Sequence, residues 1–255
     1  MKIIIIAAGS STRLGKETKD VPKGLLKIND KSIIEIQLEL FKKNQLFDIT
    51  IITGPDKQKF ELKNVNYIHD NEFQNHDVLG SLMASKSIMN DDILISYSDI
   101  VFDENILQSM LDYKGDIGIV VDLNWEKKYV TRTQHPKSEA DNVLMENNKI
   151  LKIKKNITEY NSKQNLGEFI GLMKLSKSGA KIFVEKFNYL IKFHEGKFHD
   201  APSIKKAYLT DMLQELIDLG IVVEPIIING KWCEIDTLQD LQLARKKPKI
   251  SEIDL

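Results

Sequence analysis

Asp99 closes the run Ile95-Ser96-Tyr97-Ser98, and Asp236 closes Trp232-Cys233-Glu234-Ile235. In an extended strand, residues two apart share a face, so Glu234 and Asp236 would project together. A carboxylate at the end of a strand, joined by acidic groups from near the chain end, is a ligand set for a hard cation such as Mg2+. Magnesium takes only one or two carboxylates from a protein and fills its octahedron with water and phosphate oxygens. Phosphate is therefore the substrate chemistry this set suits. Two plainer roles stand beside it: Asp99 as a turn residue, and Asp236 as the N-cap of a helix starting at Thr237.

A second constellation lies near the start of the chain. Ala7-Ala8-Gly9-Ser10-Ser11-Thr12-Arg13-Leu14-Gly15 runs straight on from the apolar run Ile3–Ala8. Small residues let backbone N–H groups approach phosphate oxygens, hydroxyls add donors, and Arg13 offers a planar fork. The loop is neither G-x-G-x-x-G nor G-x-x-x-x-G-K-[ST], so a dinucleotide fingerprint and a P-loop are both absent. Lys23 follows in Val21-Pro22-Lys23-Gly24-Leu25-Leu26, between a proline that fixes the chain and an apolar pair that enters the core. Taken singly, the loop reads as a connection and the Pro-Lys pair as a solvated turn; the pair of elements is more specific.

A-A-G-x-x-x-R-L followed by P-K-x-L-L resembles the signature of the sugar-nucleotidyltransferase superfamily. Trp232-Cys233-Glu234-Ile235-Asp236 before a helix looks most like its phosphocholine and phosphonate cytidylyltransferase branch. The resemblance implies a Rossmann-like fold and a triphosphate lined by Ala8, Gly9, Ser10, Ser11 and Arg13. It implies Lys23 at the reacting phosphates, Asp99 and Asp236 as magnesium ligands, and Glu234 as a third. Ser11 departs mildly from the glycine that many relatives carry. The D-x-D of a glycosyltransferase is missing, since Tyr97 and Val101 flank Asp99 at two residues' distance.

The nucleobase is expected along His69–Leu82, with Asn71, Asn75 and Ser81 as hydrogen-bonding candidates. Phosphocholine enzymes often carry paired asparagines before Ser-Leu, whereas here Asp77 and Val78 stand at those positions. For the acceptor, Glu168 lies in Gly167–Leu175, which resembles the family strand lining that pocket. Arg132, Lys154 and Lys155 could meet an anion, and Trp125, Tyr129, Tyr160 and Phe169 a choline-like cation. The implied activity is transfer of CMP from CTP to a phosphonate or phosphocholine-like acceptor, with release of pyrophosphate. A sugar-1-phosphate uridylyl- or thymidylyltransferase and a non-catalytic nucleotide sensor remain open.

These residues need a scaffold. Apolar runs at Ile3–Ala8, Asp48–Thr53, Val65–His69, Asp92–Tyr97 and Asp116–Asp122 read as strands, alternating with helical patterns at Ser32–Phe41, Asp77–Met89 and Asn105–Tyr113. That alternation predicts a doubly wound, mostly parallel α/β sheet. The second half is mixed and partly antiparallel: a hairpin about Asn147-Asn148, strands at Leu166–Leu175, Ile221–Ile228 and Trp232–Ile235, and helices at Ser176–Phe187, Ser203–Leu219 and Thr237–Lys246. No linker divides the chain, so one domain over 1–255 is expected, with a nucleotide-binding half (1–122) and an acceptor-binding half (123–255). Segment Phe193–Ser203 is expected to be mobile.

Composition narrows the rest. The chain has 255 residues, a formal charge of -1 and one cysteine. This gives no footprint for nucleic acid and no intramolecular disulfide. No apolar run is long enough for a membrane span. A cytoplasmic enzyme follows as the expectation, with a homodimer packed through Phe187–Phe198 as a further one.

Overall fold

The computed structural model describes residues 1–9, 14 and 21–246. The elements are β1 (Lys2–Ala7), β2 (Lys27–Ile28), β3 (Lys31–Ser32), α1 (Ile33–Lys43), β4 (Ile49–Thr53), β5 (Asn66–His69), α2 (Val78–Met83), β6 (Ile93–Tyr97), β7 (Ile100–Phe102) and α3 (Glu104–Asp112). The second half adds β8 (Ile117–Asp122), α4 (Trp125–Tyr129), β9 (Asp141–Glu146), β10 (Lys149–Lys155), β11 (Asn165–Leu175), α5 (Lys177–Phe193), α6 (Leu209–Asp218), β12 (Glu224–Ile228), β13 (Trp232–Glu234) and α7 (Leu238–Arg245).

One sheet runs through both halves. β5, β4, β1 and β6 are parallel; β11 pairs antiparallel with β6 and β8, and β12 lies parallel on the far side of β8. The first half of β11 also pairs with β9, which adds the hairpin β9–β10. The expected mostly parallel sheet with a mixed second half is the one observed. β1 shows why: Ile4 and Ile6 point into one apolar layer with α2, α5 and α6, while Ile3 and Ile5 point into another with α1 and α3. A strand covered on both faces has no polar side, so its sequence reads as a continuous apolar run.

Local chemistry sets the joints. Asn147 and Asn148 have φ of 51° and 61°, as a tight hairpin turn requires, and asparagine tolerates this backbone. In β11 the register shifts between Phe169 and Met173, and Gly171 within that bulge has φ of +77°. A Cβ there would stand 2.3 Å from the Tyr97 ring, so only glycine lets β11 lie this close to the end of β6.

Several expectations are corrected. The helix expected over Asp77–Met89 is α2 followed by a single turn at Lys86–Ile88, and that over Ser203–Leu219 is a turn at Ile204–Lys206 followed by α6. α5 continues past Phe187 to Phe193. Within the segment expected to be mobile, Phe198 is 1% exposed and bridges to Ala201, so its centre is fixed in the core. Among the described residues, no helix is long and apolar enough to cross a membrane.

Candidate active site

The two acidic segments meet through a two-stranded ribbon. β7 begins directly after Asp99 and pairs antiparallel with β13, placing Glu234 opposite Ile100. The N–H of Ile235 then donates to the carbonyl of Asp99 at 2.8 Å. This register brings carboxylate oxygens of Asp99, Glu234 and Asp236 within 4.8 Å of one another. Buried Gln37 of α1 fastens the Asp99 turn from beneath: its amide donates to the carbonyls of Tyr97 (2.9 Å) and Ile100 (2.7 Å). The other side is held by α7, where Thr237 and Asp240 form a capping box whose Asp240 also accepts from the N–H of Asp236.

Lys23 closes the cluster. Its Nζ lies 2.9 Å from Asp99 and 2.5 Å from Asp236. It reaches them because Gly24 lets the turn Lys23–Leu25 sit against Ser98; a Cβ on Gly24 would come within 2.7 Å of Ile34 and 3.0 Å of Ser98. Burial works against the ammonium charge, but Asp99, Asp236 and Glu234 together outweigh it and raise the Lys23 pKa. Glu234 is pushed up by loss of solvent and by the nearby Asp99, against the pull of Arg132. The buried Oδ1 of Asp99 has no hydrogen-bond partner. Converging hard oxygens with an unsatisfied acceptor fit a divalent cation.

The cluster stands at the middle of a cleft of about 870 Å³. One wall carries Ala8, Gly9, Pro55, Gln74, His76 and Ser81, and the other carries Tyr129, His135, Asp141, Glu168 and Tyr208. The cleft lies past the carboxyl ends of β1 and β6, where ligands of open α/β sheets bind. In its second wall, Glu168 accepts from the Tyr129 hydroxyl at 2.6 Å, while its buried Oε2 has no partner. Burial pushes Glu168 up to about 8 and Asp141 up to about 7, so both hold protons far above the usual carboxylate range.

The expected residues divide on inspection. Lys23, Asp99, Glu234 and Asp236 converge, and Ala8, Gly9, Ser81 and Glu168 line the cleft. Arg13, Ser10 and Ser11 lie outside the described residues. Asn71 is exposed in the turn after β5 and does not line the cleft. Lys154 lines a smaller neighbouring hollow; Lys155, one residue on, faces the main cleft and pairs with Glu139 at 2.8 Å.

Arg132 is a correction with a clear cause. It is buried, with Nε and Nη2 donating to Asp240 at 2.7 and 3.0 Å and Nη2 to Glu234 at 3.1 Å. Its fork is committed to the acidic segment and not to an acceptor. Of the aromatic candidates, Tyr129 and Phe169 reach the cleft, Trp125 is buried, and Tyr160 is exposed elsewhere.

His135 was not anticipated. Its Nε2 lies 3.2 Å from Asp236, and its buried Nδ1 has no partner. A lone histidine far from either acidic segment gives no periodic or spacing signal in the sequence. Gln37 was missed for the same reason: a polar residue on an apolar helix face reveals its purpose only when the loop above it is known.

Residues 3–140 match the MobA-like NTP transferase domain. CTP:phosphoglutamine cytidylyltransferase of Campylobacter jejuni is 28% identical over 97% of this chain and 100% of its own length. Choline-phosphate cytidylyltransferase of Streptococcus pneumoniae is 32% identical over 40% of this chain and 46% of its own. Among solved structures, the CTP:phosphocholine cytidylyltransferase of S. pneumoniae superposes with a TM-score of 0.70 at 20% identity, covering 96% and 97% of the two chains. The inositol-1-phosphate CTP transferase of T. maritima gives 0.71 at 19% identity, covering 98% and 96%. At such identities the structural likeness shows the fold, whereas the domain match spans more than half of the sequence. The domain match over more than half of the sequence shows that the chain belongs to the MobA-like NTP transferase domain family and is a nucleotidyltransferase.

Proposed function

We propose that the protein transfers CMP from CTP to a small phosphorylated or phosphonate acceptor and releases pyrophosphate, with Mg2+ as cofactor. The convergence of Asp99, Glu234, Asp236 and Lys23 at the middle of one cleft supports this most. The arrangement suits phosphoryl chemistry between a nucleotide on one wall and an acceptor on the other. The names of the relatives supply the lean to cytidine.

An acceptor phosphate or phosphonate oxygen is already ionised near neutral pH, so no strong general base is required. It attacks the α-phosphorus, a new P–O bond forms, and the α–β bridging oxygen leaves with pyrophosphate. Catalysis then rests on positioning and on neutralising charge as it gathers. Lys23 would stabilise the crowded phosphoryl centre, and Arg13, shortly after Gly9 in the sequence, would serve the leaving group. Asp99, Asp236 and Glu234 would hold magnesium, which supplies a Lewis acid for the phosphate oxygens when bound. No covalent enzyme intermediate is involved.

The acceptor wall favours a molecule with hydrogen-bonding or cationic character beside its phosphate. Glu168, Asp141, Tyr129 and Tyr208 stand there. Phosphocholine and aminoethylphosphonate would bring a cationic group to that wall, whereas a hexose 1-phosphate would bring hydroxyls that hydrogen-bond to it. The test is pyrophosphate release with magnesium, each ribonucleoside triphosphate or dTTP, and a panel of these acceptors, inositol 1-phosphate and hexose 1-phosphates. Acceptor-dependent release with CTP is expected. Release only with UTP or dTTP and a hexose phosphate would replace the cytidylyl reading.

A further inference from the structure

The geometry points to Asp70 as the residue that sets nucleobase polarity: by accepting the hydrogen bond of the Ser81 hydroxyl, it leaves Ser81 as a hydrogen-bond acceptor toward the base. This inference rests on the proposed cytidine nucleotide. Asp70 follows β5, is 2% exposed, and does not itself line the cleft. Ser81 stands between Asp70 and the cleft, on the helix α2 that forms the wall beside Ala8 and Pro55.

The Asp70 carboxylate is held by donors from the Ser81 hydroxyl and the Glu72 backbone. Its Oδ2 accepts from Ser81 Oγ at 2.8 Å, and its Oδ1 accepts from the Glu72 N–H at 3.0 Å and faces His76 Nε2 at 3.1 Å. A carboxylate only accepts, whereas a hydroxyl has one proton to donate and two lone pairs. The Ser81 proton is therefore committed inward, and what remains of its oxygen toward the cleft is lone-pair density. His76 is locked by the same carboxylate and packs over Gly80, where a Cβ would meet its ring at 2.3 Å. The wall cannot easily turn over to present a different group.

A base edge facing Ser81 must then carry an N–H donor. The 4-amino group of cytosine is one; the O4 carbonyl of uracil at the same place would set two acceptors against each other. A buried polar site discriminates through such unpaired groups more strongly than through shape. Asp70 touches no substrate and acts through Ser81, so it is a positioning residue.

Asp70→Asn inverts the polarity at nearly constant shape. Its amide oxygen can keep the Glu72 and His76 contacts, while its amide nitrogen donates to Ser81 and turns the hydroxyl proton to the cleft. Ser81→Ala removes the acceptor without supplying a donor. Calorimetric titration with CTP and UTP, magnesium present and no acceptor, reads the preference directly. The expected result is a CTP:UTP affinity ratio at least about tenfold lower in Asp70→Asn, and lower also in Ser81→Ala without a gain for UTP. An unchanged ratio in Ser81→Ala, with Asp70→Asn unchanged or unfolded, overturns the inference and leaves the cytidylyl reading intact if the parent prefers CTP. A parent that binds UTP as tightly as CTP removes the cytidylyl reading instead. The role of Asp70 then stands if Asp70→Asn still shifts the ratio toward UTP, and falls if it does not.

Discussion

Replacing Arg132 by Met keeps much of the side chain's bulk and removes its charge and fork. Arg132 and Asp240 are both almost fully buried, with side chains 5% and 2% exposed. Removing one partner of such a pair leaves the other charge buried and costs about 3–5 kcal/mol. Asp240 would still accept from Thr237 N and Oγ1 at 2.8 Å each and from Asp236 N at 3.1 Å. That places the loss near the lower end, about 3 kcal/mol, or roughly 6–12 °C in Tm for a chain of this size. Glu234 would also lose its 3.1 Å contact with Nη2. Loss of such outer support weakens metal binding roughly 10–100-fold. Thermal unfolding and an Mn2+ titration followed by electron paramagnetic resonance measure both effects. A Tm within about 2 °C of the parent, unchanged Mn2+ affinity and a raised acceptor KM would refute the clamp and return Arg132 to the acceptor.

Three further outcomes follow from the geometry. Lys23→Ala should slow turnover about 10²–10³-fold in single-turnover measurements, the scale of deleting one preorganised donor; near-normal turnover would remove Lys23 from the reacting centre. Glu168 is raised from 4.5 to about 8, so the folded state holds its proton where the unfolded chain has lost it. Its contribution is fully present below pH 4.5 and is lost as pH rises through about 8. Glu168→Gln should therefore gain Tm relative to the parent as pH goes from 5 to 8.5, and a pH-independent difference would contradict that burial. Gly171→Ala places a Cβ 2.3 Å from the Tyr97 ring at a φ of +77°. It should cost roughly 2 kcal/mol or more by urea denaturation, and a neutral effect would show that β11 can pack against Tyr97 without a glycine there.

What the sequence disclosed follows from how each signal is encoded. β1, β4 and β6 are covered on both faces, so their apolar runs stand out along the chain. The helix boundaries were less legible where Ala84-Ser85 and the turn before Tyr208 interrupt a pattern that continues in composition. Strands as short as β2, β3 and β7 carry no periodicity, yet β7 is what brings Asp99 to Glu234. Asp99, Glu234, Asp236 and Lys23 were readable because each sits beside an apolar run in a pattern tied to known chemistry. Arg132 and Lys154 were misplaced because a charged side chain in a loop or on a strand does not disclose which way it faces. Arg132 turns inward to a buried aspartate 108 positions later, a pairing that only the fold creates. His135, Gln37 and Asp70 are isolated polar residues whose partners are likewise distant in sequence or hidden from the cleft.

The most direct test of the central claim is phosphorus NMR of the protein with CTP, magnesium and each of phosphocholine, phosphoglutamine and aminoethylphosphonate. The account predicts new coupled P–O–P resonances of a CMP–acceptor adduct with one of them, a diphosphate from a phosphate acceptor or a phosphonate–phosphate anhydride from aminoethylphosphonate. Pyrophosphate should appear in equal amount, and both signals should be absent from Asp99→Asn. Adduct formation that persists in Asp99→Asn, or CTP consumed to orthophosphate with no adduct, would contradict it.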